Sequence, residues 1–164
     1  MKTILTMLFL LVPFAALAQK PTITYFDFTG TAFTLPASAG FCPFDIYEQP
    51  VGNKEKIATF YDKAGQVKFQ IITGVNKWMF TNLSTGKAVQ LNASGPGRLT
   101  FENNTVILSG SGESFFYISN PPAGFPKLSL TRGRIVAEVD PTTFTVTNLI
   151  TQHGTVQDIC TLLE

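Results

Sequence analysis

Short segments in which apolar and polar residues alternate run through most of this chain. The clearest lies at 66–73, where Val67, Phe69 and Ile71 alternate with lysine and glutamine. A period of two places alternate side chains on opposite faces, so this segment is predicted to be a half-buried β-strand. It follows a turn sequence at 62–65 that ends in glycine, and residues 56–61 before the turn have the same character. The two segments are therefore predicted to form a β-hairpin.

The same alternation, interrupted by Gly, Pro, Asn and Asp, predicts further strands downstream. They lie at 77–83, 87–93, 98–101, 105–109, 113–119, 128–139 (one strand or two, bent at Gly133), 143–150 and 155–160. No segment has apolar spacing of 3.6 residues over ten or more positions, and only 158–163 is compatible with a short helical turn. About ten strands in hairpin succession predict an all-β antiparallel domain. An antiparallel β-sandwich and a flattened up-and-down β-barrel both fit this pattern.

One strand departs from simple alternation. Residues 114–118 read Ser-Phe-Phe-Tyr-Ile, so bulky side chains project from both of its faces. We expect this strand to be covered on both sides, with a groove-lining face as the alternative.

The N-terminus has the features of a secretory signal peptide. Lys2 precedes an apolar run at 4–17, and Ala16-Leu17-Ala18 is a small-x-small cleavage pattern. The alternative, a membrane anchor, needs a longer apolar run, of about 18 residues or more. The predicted organisation is a signal peptide at 1–18 and a single secreted all-β domain at 19–164.

The charge distribution along the chain argues against two classes of binding partner, nucleic acid and anionic membranes. Without Lys2 the predicted mature chain has eleven basic and eleven acidic residues, and it contains no run of Lys or Arg. Binding to nucleic acid and electrostatic attachment to anionic membranes both depend on clustered basic residues, so neither is predicted. No second apolar run is long enough to span a membrane, and the chain is expected to be soluble and extracellular.

The chain has two cysteines, Cys42 and Cys160. In an oxidising compartment they are predicted to form one disulfide, with free or intermolecular thiols as the alternative. Cys42 shares an alternation phase with Phe44 and Ile46, and Cys160 closes the last predicted strand. The bond would then make the first and last strands of the domain neighbours.

Residues that could carry out catalysis are few. The chain has no G-x-S-x-G motif, and His153, its one histidine, lies beside a glycine in a predicted turn. One histidine and two bridged cysteines do not make a zinc site, and no cofactor is predicted. Two carboxylates across a cleft would suffice for a glycosidase, and Glu48, Glu113 and Glu138 lie in or beside strands without any evident pairing. We therefore assign no catalytic residue.

Two features remain open. Asn82, Asn92 and Asn103 begin N-glycosylation sequons, which matter only if the host glycosylates secreted proteins. The many aromatic residues are expected to build the core, although a sugar-binding module would expose some of them and an apolar-ligand protein would point some into a cavity.

Four motifs together resemble a group of small secreted proteins of unknown function from actinobacteria and fungi. They are FCPFD at 41–45, TNLSTGK at 81–87, SGP at 94–96 and DICTLL at 158–163. The resemblance implies secretion and a β-rich domain closed by a disulfide, and it implies no activity.

The expected function is a secreted, non-catalytic β domain that binds an extracellular ligand: a carbohydrate, a lipid-like molecule or a protein. The alternatives are a secreted carboxylate-dependent hydrolase and a structural cell-surface protein.

Overall fold

The computed structural model describes residues 20–27, 30–102, 105–142 and 145–164. The strands are β1 (Thr22–Asp27), β2 (Phe33–Leu35), β3 (Ile46–Tyr61), β4 (Val67–Asn82), β5 (Ala88–Asn92), β6 (Gly97–Glu102), β7 (Thr105–Gly110), β8 (Glu113–Tyr117), β9 (Leu128–Val139) and β10 (Val146–Asp158); a 3-10 turn (Ala37–Ala39) and helix α1 (Ile159–Leu163) complete the described elements. The predicted signal peptide lies outside the described residues. Within them, no helix is both long enough and apolar enough to cross a membrane.

All ten strands belong to one antiparallel sheet, which confirms the predicted fold class. The strand order is β1-β3-β4-β6-β7-β9-β10. The sheet is not closed into a barrel. The hairpin of β3 and β4 forms as predicted around the turn at 62–65. There the Asp62 carboxylate accepts hydrogen bonds from the backbone N–H groups of Ala64 and Gln66, at 2.8 and 2.9 Å.

The three shortest strands divide the sheet into two regions. Strands β2, β5 and β8 pair with β3, β4 and β9 beyond the ends of β1, β6 and β7. Strands β6 and β7 pair with each other, whereas β5 and β8 do not pair within the described residues. One end of the molecule is therefore a seven-stranded sheet, the continuous half. At the other end, the split half, two smaller sheets face each other.

Two opposed glycines lie where the two halves meet. Gly133 in β9 lies opposite Gly154 in β10, and their φ angles are 129° and 114°. A Cβ on Gly133 would collide with the carbonyl oxygen of His153, so the close approach of these strands requires glycine. Residues 128–139 form one strand, which decides between the one-strand and two-strand alternatives, and Gly133 with its positive φ lies within it.

Each half has its own hydrophobic core. The first core, in the split half, includes Trp78 and Phe80 from β4 and Leu130 from β9. The second core lies on one face of the continuous half and includes Leu99 and Ile135.

Strand β8 contributes to both cores. Phe115 and Tyr117 pack against the first core, whereas Phe116 and Ile118 are buried in the second. Both faces of residues 114–118 therefore pack against a core, as expected, and Phe115 and Phe116 also line a cavity, which was the alternative.

The disulfide between Cys42 and Cys160 is present, with their Cα atoms 5.6 Å apart. Neither cysteine lies in a strand, contrary to the sequence interpretation. Cys42 belongs to a bend before β3, and Cys160 belongs to α1, whose first turn is capped by the Asp158 carboxylate. The bond therefore fastens α1 over the first core and does not join the first and last strands.

Several strands differ in extent from their predicted bounds. Residues 77–83 are largely the continuation of β4, and β10 spans 146–158, so it joins parts of the two segments predicted at 143–150 and 155–160. The alternation pattern identifies neither β1 nor β2. Every residue of β1 is exposed, so the strand lacks the buried apolar positions on which such a prediction depends.

Candidate ligand-binding groove

Two adjoining cavities form a groove on the inner face of the continuous half. The larger, of about 540 Å³, is lined by side chains of β1, β3, β4 and β6, and the smaller, of about 160 Å³, extends it toward β7 and β8. Glu55 and Ile72 line both cavities. Together they make one groove of the size that small-molecule sites usually have.

The register of the strands explains why these side chains meet. Thr24 of β1 lies opposite Ile57 of β3, and Ile57 lies opposite Ile72 of β4. Directly opposed residues project from the same face of an antiparallel sheet, so the three side chains form a row. The row ends at Gly97 of β6. Because this residue has no side chain, the space between Ile72 and β7 stays open.

Most of the larger cavity is apolar. Phe26, Ile57, Ile72 and Leu99 supply its hydrophobic surface. Thr24, Thr59 and Gln70 add polar groups, and the Gln70 amide donates a hydrogen bond to the Thr59 hydroxyl at 3.2 Å.

Glu55 is the one carboxylate that lines this groove in the part of the chain that the structure describes. Its Oε1 accepts a hydrogen bond from the Asn76 amide nitrogen at 3.2 Å. The Asn76 amide is held in this orientation because its Oδ1 accepts from Trp78 Nε1 at 2.6 Å and from Asn53 Nδ2 at 3.3 Å. The donor side of Asn76 is thereby directed at Glu55.

Half-burial changes the acid strength of Glu55. Desolvation raises the pKa of this carboxyl above its ordinary value of 4.5, and the hydrogen bond from Asn76 opposes the rise. No salt bridge to Glu55 is found within the described residues. A bound molecule that donates a hydrogen bond or carries a positive charge would therefore stabilise the ionised form.

A second unusual carboxyl, Glu48, lies in the first core. It is fully buried, and the Tyr117 hydroxyl donates a hydrogen bond to its Oε2. Its Oε1 has no partner among the described residues. Burial raises the pKa of Glu48 from 4.5 to about 7, against the opposing effect of the hydrogen bond, and burial next to Glu48 also raises the pKa of Tyr117.

The surroundings of Glu48 are those of a structural residue. Phe41 and Phe115 place their rings edge-on to the Tyr117 ring, at centroid distances of 5.7 and 6.0 Å. Tyr117 lines a further cavity of about 450 Å³, which shares Leu108, Phe115 and Phe116 with the smaller cavity of the groove, but Glu48 does not line it. We therefore assign the ligand-facing role to Glu55.

The other acids and the histidine considered in the sequence lie away from the groove. Glu113 forms a surface ion pair with Arg132, at 2.6 Å. Glu138 lies in β9 opposite Asn148 and lines neither cavity of the groove. His153 is also exposed, but it lies within β10 rather than in a turn.

The three sequons occupy different environments. Asn82 is 2% exposed, and its amide nitrogen donates to the carbonyl oxygen of Leu163 at 3.2 Å. A glycan on that nitrogen would have to displace α1, so in this fold Asn82 holds the C-terminal helix. Asn92 is exposed, and its use as an acceptor stays a prediction. Asn103 lies outside the described residues.

Sequence reasoning missed the central residues of the groove. Glu55, Asn76 and Trp78 carry no recognisable motif, because Glu55 is 21 residues from Asn76. A usable signal was the alternation of Asn53, Glu55 and Ile57 along one strand face, which places polar and apolar side chains in one row.

Within the residues described, no group of three or more His, Cys, Asp and Glu side chains is arranged to hold a metal ion. No protein-family model, curated protein or solved structure matches this chain.

Proposed function

We propose that this protein is a secreted, non-catalytic binding domain whose groove takes a small extracellular molecule. The ligand has an apolar body and a head group that donates hydrogen bonds or is cationic. The observation that carries the proposal is the single half-buried carboxylate, Glu55, in an otherwise mainly apolar groove. Of the three expected ligand classes, the lipid-like class fits this lining best.

Binding explains this lining better than hydrolysis. A glycosidase of the usual kind needs two carboxyl groups across a cleft, and the described groove offers one. A mainly apolar pocket with a few convergent polar groups is the common form of a ligand site. Secretion, and kinship with the small secreted proteins that the four sequence motifs resemble, belong to the same proposal.

The single tryptophan provides a direct assay. Trp78 donates to Asn76, and Asn76 donates to Glu55, so a molecule that engages Glu55 should perturb the indole. We would titrate the mature protein with octylamine, 1-octanol and octanoate, which share a chain length and differ in head group. The expected order of affinity at pH 7 is octylamine, then octanol, with octanoate weakest.

Two variants test the assignment. Glu55→Gln should weaken octylamine binding at least tenfold, because the uncharged amide no longer attracts the ammonium group. Glu102→Gln removes an exposed acid from β6 outside the groove lining and should leave binding unchanged. Equal affinity for octanoate and octylamine, or no effect of Glu55→Gln, would contradict the proposal.

A further inference from the structure

The strands that build the groove carry a different set of side chains on their opposite face. Successive residues of a strand point to opposite sides, so Lys54 and Lys56 project away from Glu55, and Arg98 projects away from Leu99. We call this second surface the outer face and define it by Tyr25, Lys54, Lys56, Phe60, Phe69, Ile71 and Arg98. None of these residues is buried, and none belongs to either core.

Aromatic rings on the outer face form an ordered stack. Phe60 of β3 and Phe69 of β4 are stacked with ring centroids 4.4 Å apart and planes 18° from parallel. The Arg98 guanidinium of β6 lies over the Phe69 ring at 4.1 Å from its centroid. Tyr25 of β1 lies opposite Lys56 and is 76% exposed. The face therefore presents flat ring surfaces next to positive charges.

The charge of the outer face is unbalanced, although the predicted mature chain is neutral. Lys54, Lys56 and Arg98 are exposed cations from two strands. Two exposed acids share this face: Asp27, which lies opposite Lys54 in the register, and Glu102, which follows Arg98 by four residues on the same side of β6. Glu55, the acid between the two lysines, points into the groove. No run of basic residues exists in the sequence, and the sheet brings these cations onto one face.

We propose that the outer face binds an anionic polysaccharide, such as a chain of uronic acid residues. The carboxylates of such a chain complement Lys54, Lys56 and Arg98. The apolar faces of its sugar rings complement the exposed rings of Tyr25, Phe60 and Phe69. This site is separate from the groove and does not depend on the ligand proposed there.

The spacing of the charges on this surface favours a polysaccharide over other polyanions. Two strands' width separates β3 from β6, about 10 Å, so the cations are sparse. Nucleic acid has a much denser charge and is usually held by more numerous phosphate contacts.

The test compares polygalacturonate with the same polymer after its carboxyl groups have been reduced to alcohols. Affinity electrophoresis of the mature protein should show retardation by polygalacturonate that weakens as salt is raised, and little retardation by the reduced polymer. The double variant Lys56→Gln/Arg98→Gln should bind at least tenfold more weakly. Arg98→Lys keeps the charge but loses the planar stack on Phe69, and it should bind with intermediate affinity.

The control is the double variant Lys63→Gln/Lys87→Gln, which removes two exposed lysines from turns and should bind like the unmodified protein. Thermal unfolding of each variant would establish that it is folded before binding is compared. Equal retardation by the reduced polymer, or an unchanged affinity of the Lys56/Arg98 double variant, would overturn the proposal. Preferential binding to duplex DNA or to phosphatidylglycerol vesicles would overturn it as well, in favour of that partner.

Discussion

The two halves of the molecule use the same strands in different ways. In the split half, two small sheets enclose a core that α1 and the disulfide cover, and Phe80, Ile46 and Leu163 there are fully buried. In the continuous half, the part of the sheet made by β1, β3, β4 and β6 has neither face fully covered. The inner face there forms the groove, and the outer face presents half-buried rings and exposed cations. From this comparison we expect that the split half supplies most of the stability and that the continuous half supplies ligand recognition.

The disulfide offers the largest expected difference. It closes a loop of 118 residues, and in the chain-entropy model such a loop is worth about 4–5 kcal/mol of unfolding free energy. Cys42→Ser/Cys160→Ser should lower the urea midpoint accordingly while leaving the β-rich circular dichroism spectrum unchanged. An unchanged midpoint in non-reducing buffer would mean that α1 does not depend on this bond.

A matched pair of phenylalanines tests the contrast directly. Phe80→Ala removes a fully buried ring from the first core and should cost about 3–5 kcal/mol. Phe69→Ala removes a half-buried ring from the outer face and should cost about 1 kcal/mol, mostly from lost ring stacking. Urea unfolding of both variants gives the comparison, and equal losses would refute the division of roles between the halves.

Glu48 gives the split half a pH dependence. Its pKa is about 7 when folded and 4.5 when unfolded, so between these values the folded protein holds a proton that the unfolded chain has lost. Stability should therefore fall as the pH rises through this window, by about 3 kcal/mol.

The variant Glu48→Gln isolates that effect. It should match the unmodified protein near pH 4.5 and exceed it in stability at pH 8, because the amide needs no ionisation inside the core. Urea unfolding across this pH range provides the measurement. Glu55→Gln, in the more open groove, is the control and should show a weaker dependence. The contrary result would be a stability difference between Glu48→Gln and the unmodified protein that does not change with pH. It would show that the Glu48 carboxyl is ionised in the core or exchanges with solvent.

Local features of the fold were predictable from the sequence, and non-local ones were not. The 62–65 turn and the bounds of β9 follow from alternation and from turn residues. The division into two halves depends on β5 and β8 not pairing, and no local pattern records that. Alternation placed Cys42 in a strand, but a bend before β3 carries it toward α1.

The candidate site was harder to predict for a related reason. The groove is lined by a row of side chains from β1, β3, β4 and β6. Which side chains lie in that row depends on the register between strands that are distant in the sequence. Glu48 and Glu55 lie in one strand, yet one is sealed in a core and the other lines a cavity. Their different environments come from the residues that lie opposite them and around them in the folded sheet.

Strand β8 links the two halves in a way that affects how the molecule unfolds. Phe115 faces the first core and Phe116 the second, and both line the smaller cavity of the groove. Neither half can lose its packing without exposing one side of this strand, so the domain should melt in a single cooperative transition. A molecule bound against β8 would then raise the melting temperature of the whole domain, including the half that it does not touch.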